Sequence, residues 1–207
     1  QSIIKRKFKV TTDSSHKYPV VENKLNREFN VSRENQAWVS DITYVRTAQG
    51  WLYLTSVIDL FDRKVIGWAL SATMRAKDTS IKAFKMALIN RPIKNNQSLI
   101  FHSDRGIQYC CPDYSEFAQN KGFILSTTQQ YDPYENAVAE RINGILKYEF
   151  GLKNTIKNIK IAQKMIDEAV KIYNNDRLHW SLNLKTPQSV HEKYNTQPYK
   201  SYAKKVA

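Results

Sequence analysis

Acidic side chains set inside apolar sequence are where this chain could do chemistry. Asp41 interrupts the run Trp38-Val39-Ser40-Asp41-Ile42-Thr43-Tyr44-Val45, and Asp104 closes the short run that leads into His102-Ser103-Asp104-Arg105-Gly106. Glu140 stands in a third segment, Asn136-Ala137-Val138-Ala139-Glu140-Arg141. A carboxylate taken out of water without a partner is costly, so each of these positions needs a reason. Singly, each reads as a turn cap or half of an ion pair. Together, three hard oxygen donors from three elements suit Mg²⁺, which takes one or two carboxylates per ion with retained waters and substrate phosphates. Two such ions about 3.5–4 Å apart activate a water or hydroxyl and stabilise the leaving oxygen in phosphoryl transfer.

Other chemistries fit less well. His102-Ser103-Asp104 has the letters of a serine hydrolase, but triads assemble in space and neighbours on a strand point to opposite faces. Cys110 and Cys111 are the only cysteines and are adjacent, which disfavours a bridge between them and gives no zinc spacing with His102. They read as inert thiols of a reducing, cytosolic compartment. Asp59 reads as the cap of a turn at Phe61–Arg63 rather than as a fourth metal ligand.

The elements that would position the acids can be traced along the chain. Ala37–Val45, Trp51–Leu60 and Lys64–Ser71 are rich in β-branched and aromatic residues and predict an antiparallel three-stranded meander with turns at Gln49-Gly50 and Asp62-Arg63. Asp78 or Thr79 is expected to cap a helix through Ile81, Phe84, Ala87 and Leu88 that ends before Pro92. Ser98–Ser103 and Phe123–Thr128 predict two more strands, separated by a helix from Pro112 to Asn120. Asn136 to about Phe150 is the next helix. Its polar face carries Asn136, Glu140, Asn143 and Lys147, opposite Val138, Ile142, Ile145 and Leu146. In Asn158–Asn175, Ile159, Ala162, Ile166, Ala169 and Tyr173 form an apolar stripe at helical spacing, expected to pack on the core. Strands followed by alternating strands and helices predict an α/β fold, a mixed five-stranded sheet flanked by helices. Gln129–Tyr134 reads as a loop without periodicity.

Charge divides the chain into three parts. Of a net charge of +13, residues 1–35 hold 8 basic and 4 acidic groups, residues 36–140 hold 11 and 10, and residues 141–207 hold 13 and 5. Basic flanks around a near-neutral middle point to a polyanionic partner, nucleic acid first. No apolar run approaches the ~18 residues of a membrane span, and Gln1–Val10 lacks a signal-peptide core, so no membrane partner is expected. The expected organisation is a basic extended arm over 1–35, a catalytic core over 36–152, and a C-terminal helix with a basic tail over 153–207.

The motifs then align with a family. Trp38-x-x-Asp41-Ile42-Thr43-Tyr44, Trp51-Leu52-Tyr53-Leu54 with Val57-Ile58-Asp59, and His102-Ser103-Asp104-Arg105-Gly106-x-Gln108-Tyr109 are similar to the integrase core of bacterial insertion-sequence transposases. Asn136-Ala137-x-Ala139-Glu140-Arg141, Leu146-Lys147-x-Glu149 and the tail Tyr173-Asn174-x-x-Arg177-x-His179-x-Ser181-Leu182 with Thr186-Pro187 continue the resemblance over about residues 15–194. That family is related to retroviral integrase. Its last two acids have 35 residues between them, as Asp104 and Glu140 do here, and Lys147 occupies its basic position seven residues after the Glu.

The resemblance implies a ribonuclease H-like fold with Asp41, Asp104 and Glu140 as catalytic and metal-holding residues, Mg²⁺ as cofactor and Mn²⁺ as its substitute. It implies strand cleavage at transposon ends and transfer into target DNA. The alternative is an inactive or truncated integrase core that only binds DNA. Lys147, Arg105, Arg141, His102 and Asn136 are expected at the DNA. A homo-oligomer on DNA, a companion DNA-binding subunit and a cytoplasmic, nucleoid-associated location are likewise implied. Two departures stand out. Glu135 occupies the place where the family often has Asp before the Asn-Ala pair, which makes it the competing acid. The family's N-terminal DNA-binding helices are largely missing, consistent with a chain that starts at Gln1 and reads as part of something longer.

Overall fold

A computed structural model describes residues 16–93, 98–129 and 133–196. Residues 130–132 of the expected loop and the basic tail beyond 196 lie outside the described residues.

Strand β1 (Ala37–Thr47) turns through Gly50, whose φ of +125° few other residues tolerate, into β2 (Gly50–Asp59). A second tight turn leads to β3 (Val65–Ser71). These three strands pair antiparallel, whereas β4 (Ile100–Ser103) and β5 (Ile124–Thr127) add on parallel to β1, giving the order β3-β2-β1-β4-β5. The parallel additions need crossovers. These are α1 (Ser80–Asn90) before β4, then the single-turn α2 (Ile107–Cys110) and α3 (Pro112–Gln119) before β5.

Period-two alternation sends each strand's side chains to two apolar layers. Trp38, Val57 and Ile66 pack with Phe84 of α1, Phe101 and Tyr114 on one face. Gly67 lets α1 rest directly on β3, because a Cβ there would lie 2.3 Å from the Ala83 carbonyl oxygen. The opposite face carries Val39, Val45, Leu54 and Ile58 beneath α4 (Ala137–Glu149) and α5 (Ile159–Asn175). The predicted α5 stripe is buried at Ala162, Ile166, Ala169 and Tyr173, while Ile159 at the helix start stays 37% exposed. The mixed five-stranded sheet flanked by helices is therefore observed as the sequence pattern implies.

Three local features differ from expectation. Thr79 does occupy the cap position of α1, but its hydroxyl donates to the Arg75 carbonyl and caps no helical N–H. Asp78 pairs with Arg75 instead. Helices α2 and α6 (Pro187–Thr196) carry too little periodicity to be read in advance. Residues 16–35 have no regular structure yet are fastened to the sheet. The backbone N–H groups of Lys24 and Leu25 donate to Ser126 Oγ, Thr127 Oγ1 donates to the Val21 carbonyl, and Leu25 is buried. Among the described residues no helix is long and apolar enough to cross a membrane.

Candidate active site

Parallel pairing of β1 with β4 brings the first two acids together. Ser40 and Ser103 are partners in register, so Asp41, midway along β1, and Asp104, just past the end of β4, each follow one residue later on adjacent strands. Ligands of open α/β sheets gather beyond the carboxyl ends of strands, where β4 has stopped. The Asp104 Oδ1 accepts the Gly106 N–H at 3.0 Å, an Asx-type turn that leads the chain away from the sheet. Glu140 arrives from the first turn of α4.

The three carboxylates feel one another. Burial, then the charge of Asp104, raises Asp41 to about 7; Glu140 adds to this, and the Asn143 amide opposes it. Asp104 is raised by burial against the Gly106 N–H, and Glu140 by burial and then Asp104. None of the three forms an ion pair among the described residues. Lys147 lies near enough that Asp41 favours its charge while burial opposes it. No group of three His, Cys, Asp or Glu among the described residues is drawn together closely enough to hold a metal ion as it stands. The chemistry of the donor set nonetheless suits a hard divalent cation: oxygen-only, mutually repelling, and without a resident cation.

Asn143 is the residue sequence reasoning left out. It lies one turn beyond Glu140, is 3% exposed, donates from Nδ2 to Asp41 Oδ2 at 2.9 Å, and accepts from Ser56 Oγ at 2.8 Å. Its place between Glu140 and Lys147 on the polar face of α4 was the available signal. Ser40 is held similarly. Its hydroxyl donates to the Ser56 carbonyl and is met by Tyr109 OH at 2.7 Å, which fixes the backbone just before Asp41.

Two residues expected at the DNA are interior braces instead. His102 is fully buried, with Nδ1 accepting from Ser126 Oγ at 2.8 Å and Nε2–H donating to the Glu135 carbonyl at 3.0 Å. Ser126 must donate here because it already accepts the Lys24 and Leu25 N–H groups, which fixes the tautomer. Burial lowers the imidazole pKa to about 4, so His102 offers phosphate no charge. Asn136 is 2% exposed and donates from Nδ2 to the Ser40 carbonyl at 3.0 Å. The two side chains thus tie the start of α4 to the strands that carry Asp41 and Asp104. Neither is available to a DNA backbone.

The other expected contacts remain at the surface: Arg141 is exposed, and Arg105 and Lys147 are partly so. The competing acid Glu135 is 7% exposed, and its Oε2 accepts the Gln129 N–H at 2.6 Å, tying down the loop end. Asp59 caps its turn through the Phe61 N–H and pairs with Arg91, far from the three acids in function.

The order β3-β2-β1-β4-β5 with helices on both faces is a ribonuclease H-like fold, the fold of retroviral integrase cores. A simian T-cell lymphotropic virus intasome, solved with the PP2A regulatory subunit B56 gamma, superposes with a TM-score of 0.69 at 18% identity over 92% of this chain and 64% of that one. The HTLV-2 integrase catalytic core in complex with magnesium superposes with a TM-score of 0.57 at 20% identity over 76% of this chain and 96% of that one.

Sequence comparison gives the family. Two integrase core domain models match residues 31–133 and 121–187. The 31 kDa protein of insertion element IS600 from Shigella sonnei is 38% identical over 92% of this chain and 70% of its own length. The transposase InsF of insertion sequence IS3A from Escherichia coli is 42% identical over 70% of this chain, a match that spans 49% of InsF. The chain belongs to the integrase-core family of bacterial insertion-sequence transposases.

Proposed function

We propose that this chain is the catalytic part of a DNA transposase, cutting strands at transposon ends and joining the freed 3′-hydroxyl to a target phosphodiester. The observation that carries the reading is the convergence of Asp41 from β1, Asp104 from just past β4 and Glu140 from α4, with raised proton affinities and no ion pair among the described residues. Kinship with InsF supports DNA as the substrate. The same convergence disfavours a purely DNA-binding relic, because carboxylates crowded together without an ion-pair partner strain a fold that has no use for them.

Asp41, Asp104 and Glu140 would hold magnesium, with manganese as its substitute. Bound there, the ions supply charge neutralisation at the phosphodiester and a nucleophile activated at neutral pH. The protein itself contributes position. Asn143 orients the Asp41 carboxylate, Asn136 and His102 fix the approach of α4, and Lys147 adds a positive charge beside the acids. Arg141 and Arg105 offer contacts to the DNA backbone, and such contacts set register without reading sequence. Binding through phosphates makes affinity fall steeply with salt. The named dimeric and trimeric integrase forms support a multimer on DNA, with a companion DNA-binding subunit and a cytoplasmic, nucleoid-associated setting as the further expectation.

The test is cleavage and joining of a labelled end of the element with Mg²⁺ or Mn²⁺. Asp104→Asn is expected to abolish both reactions while leaving the fold intact. Activity equal to the parent's overturns the assignment.

A further inference from the structure

Beyond the carboxylates, the outer side of α4 forms a trough. Glu140, Gly144 and Tyr148 recur every four residues, which lines them up along one side of the helix. Gly144 is the gap in that line. Glycine weakens a helix interior, yet nothing packs against it here, since a Cβ at Gly144 would meet no atom within 4 Å. It contrasts with Gly67, where a helix backbone occupies the space. The groove beside Gly144 measures about 440 Å³ and is walled by Tyr134, Glu140, Arg141, Tyr148 and Glu149.

Two tyrosines on this groove stay mostly in water, Tyr134 at 70% and Tyr148 at 69% exposed. The Lys153 ammonium lies 4.7 Å from the centre of the Tyr148 ring, which places a second cation near Arg141's groove. Glu149 does not oppose an anion there, because Arg177 engages both its oxygens at 2.7 and 2.8 Å. Exposed aromatic faces interleaved with cations bind unpaired nucleotides, with the base on the ring and the phosphate at the cation. A paired base has its faces covered by stacking and cannot enter such a groove.

We propose that the groove is a stacking subsite for an unpaired nucleotide next to the reacting phosphodiester. Tyr148 carries the base, Gly144 leaves room for it, and Arg141 meets the phosphate. The assignment rests on the reading of Asp41, Asp104 and Glu140 given above.

The test uses the full chain without added metal, so that it reads binding alone. Fluorescence anisotropy follows a short labelled oligothymidylate and, separately, a blunt duplex. Tyr148→Ala is expected to weaken oligothymidylate binding roughly tenfold, the scale for losing one stacked base, while duplex affinity holds. Tyr148→Phe keeps the ring and should bind like the parent. Gly144→Leu favours the helix and fills the trough, so it should show the same selective loss with an unchanged or raised melting temperature. If Tyr148→Ala does not fold, Gly144→Leu decides. The proposal is overturned if Gly144→Leu binds oligothymidylate like the parent, or if single-strand and duplex affinities fall together. A failed carboxylate assignment appears in the cleavage assay of Asp104→Asn, which the metal-free binding measurement on Tyr148 and Gly144 variants does not read.

Discussion

Two acidic clusters lie along the central strands, one where β2 ends and the other beside the middle of β1, and the two are built on opposite principles. In the first, Asp59 and Asp62, both fully buried, close around Arg91 at 2.7 and 2.6 Å. Asp59 also accepts from the Asn35 N–H and Trp38 Nε1, and His191 of α6 lies 3.4 Å from Asp62. Burial and the neighbouring Asp62 push Asp59 up, whereas hydrogen bonds from His191 and Arg91 outweigh burial and hold Asp62 low. Each carboxylate thus has the Arg91 guanidinium as a direct partner, and the cluster joins the arm, β1, β2, α1 and α6. In the second, Asp41, Asp104 and Glu140 have one another, the neutral amide of Asn143 and, near Asp41 but not in an ion pair, the Lys147 charge. The first cluster is complete within the chain. The second has no such internal partner among the described residues, and on the function proposed above a divalent cation would complete it.

The largest expected effect breaks the closed cluster. Arg91→Met leaves two buried carboxylates unpaired and should lower stability by about 3–5 kcal/mol in urea denaturation. Replacing Asp59 and Asp62 by Asn in the same chain should recover part of that loss.

At the open cluster the corresponding change concerns metal. Asn143→Ala should weaken magnesium binding by about 10–100-fold, the scale for losing a side chain that orients a ligand, measured by calorimetry with the fold intact. Proton competition gives a smaller effect. With Asp41 titrating near 7, magnesium affinity should fall by about tenfold per pH unit below that value. A pH-independent affinity between 5 and 7 would show that Asp41 is no ligand.

The smallest effect carries the opposite sign from Arg91→Met. A carboxyl whose folded pKa is raised favours the fold while protonated, and this contribution is lost as pH climbs from about 4 to about 7. Asp41→Asn should therefore raise the melting temperature of the metal-free protein by a few degrees above pH 7, and the gain should shrink toward pH 4. Saturating magnesium should reverse it, because only the parent binds the ion.

Much of the architecture was legible because its signals are local. The β-branched run around Asp41, the turn at Gly50 and the stripe Ala162, Ile166, Ala169, Tyr173 are periodic patterns that one segment carries alone. Helix α6 lacked such a pattern, and the arm's attachment depends on Ser126, about a hundred residues away. His102 and Asn136 show where reading by motif misleads. Their residue types suit phosphate contact, but whether a polar side chain faces water or a neighbouring carbonyl depends on what packs over it. His102 met the Glu135 carbonyl and Asn136 the Ser40 carbonyl, and both became braces.

By itself the sequence determined the order of strands and helices, the segregation of positive charge to the flanks, and the three acids with their spacing. It did so because propensity, periodicity and motif are properties of neighbouring residues. Only the tertiary structure decided which acids are neutralised. Asp59 and Asp41 lie on adjacent strands, and the turn after Asp59 marks it locally as a cap, but nothing local shows which of the two meets a cation. Arg91 reaches Asp59 and Asp62 across the fold, while among the described residues no cation forms an ion pair with Asp41, Asp104 or Glu140. Electrostatic energy depends on distance through space, and the chain sets that distance only when it folds.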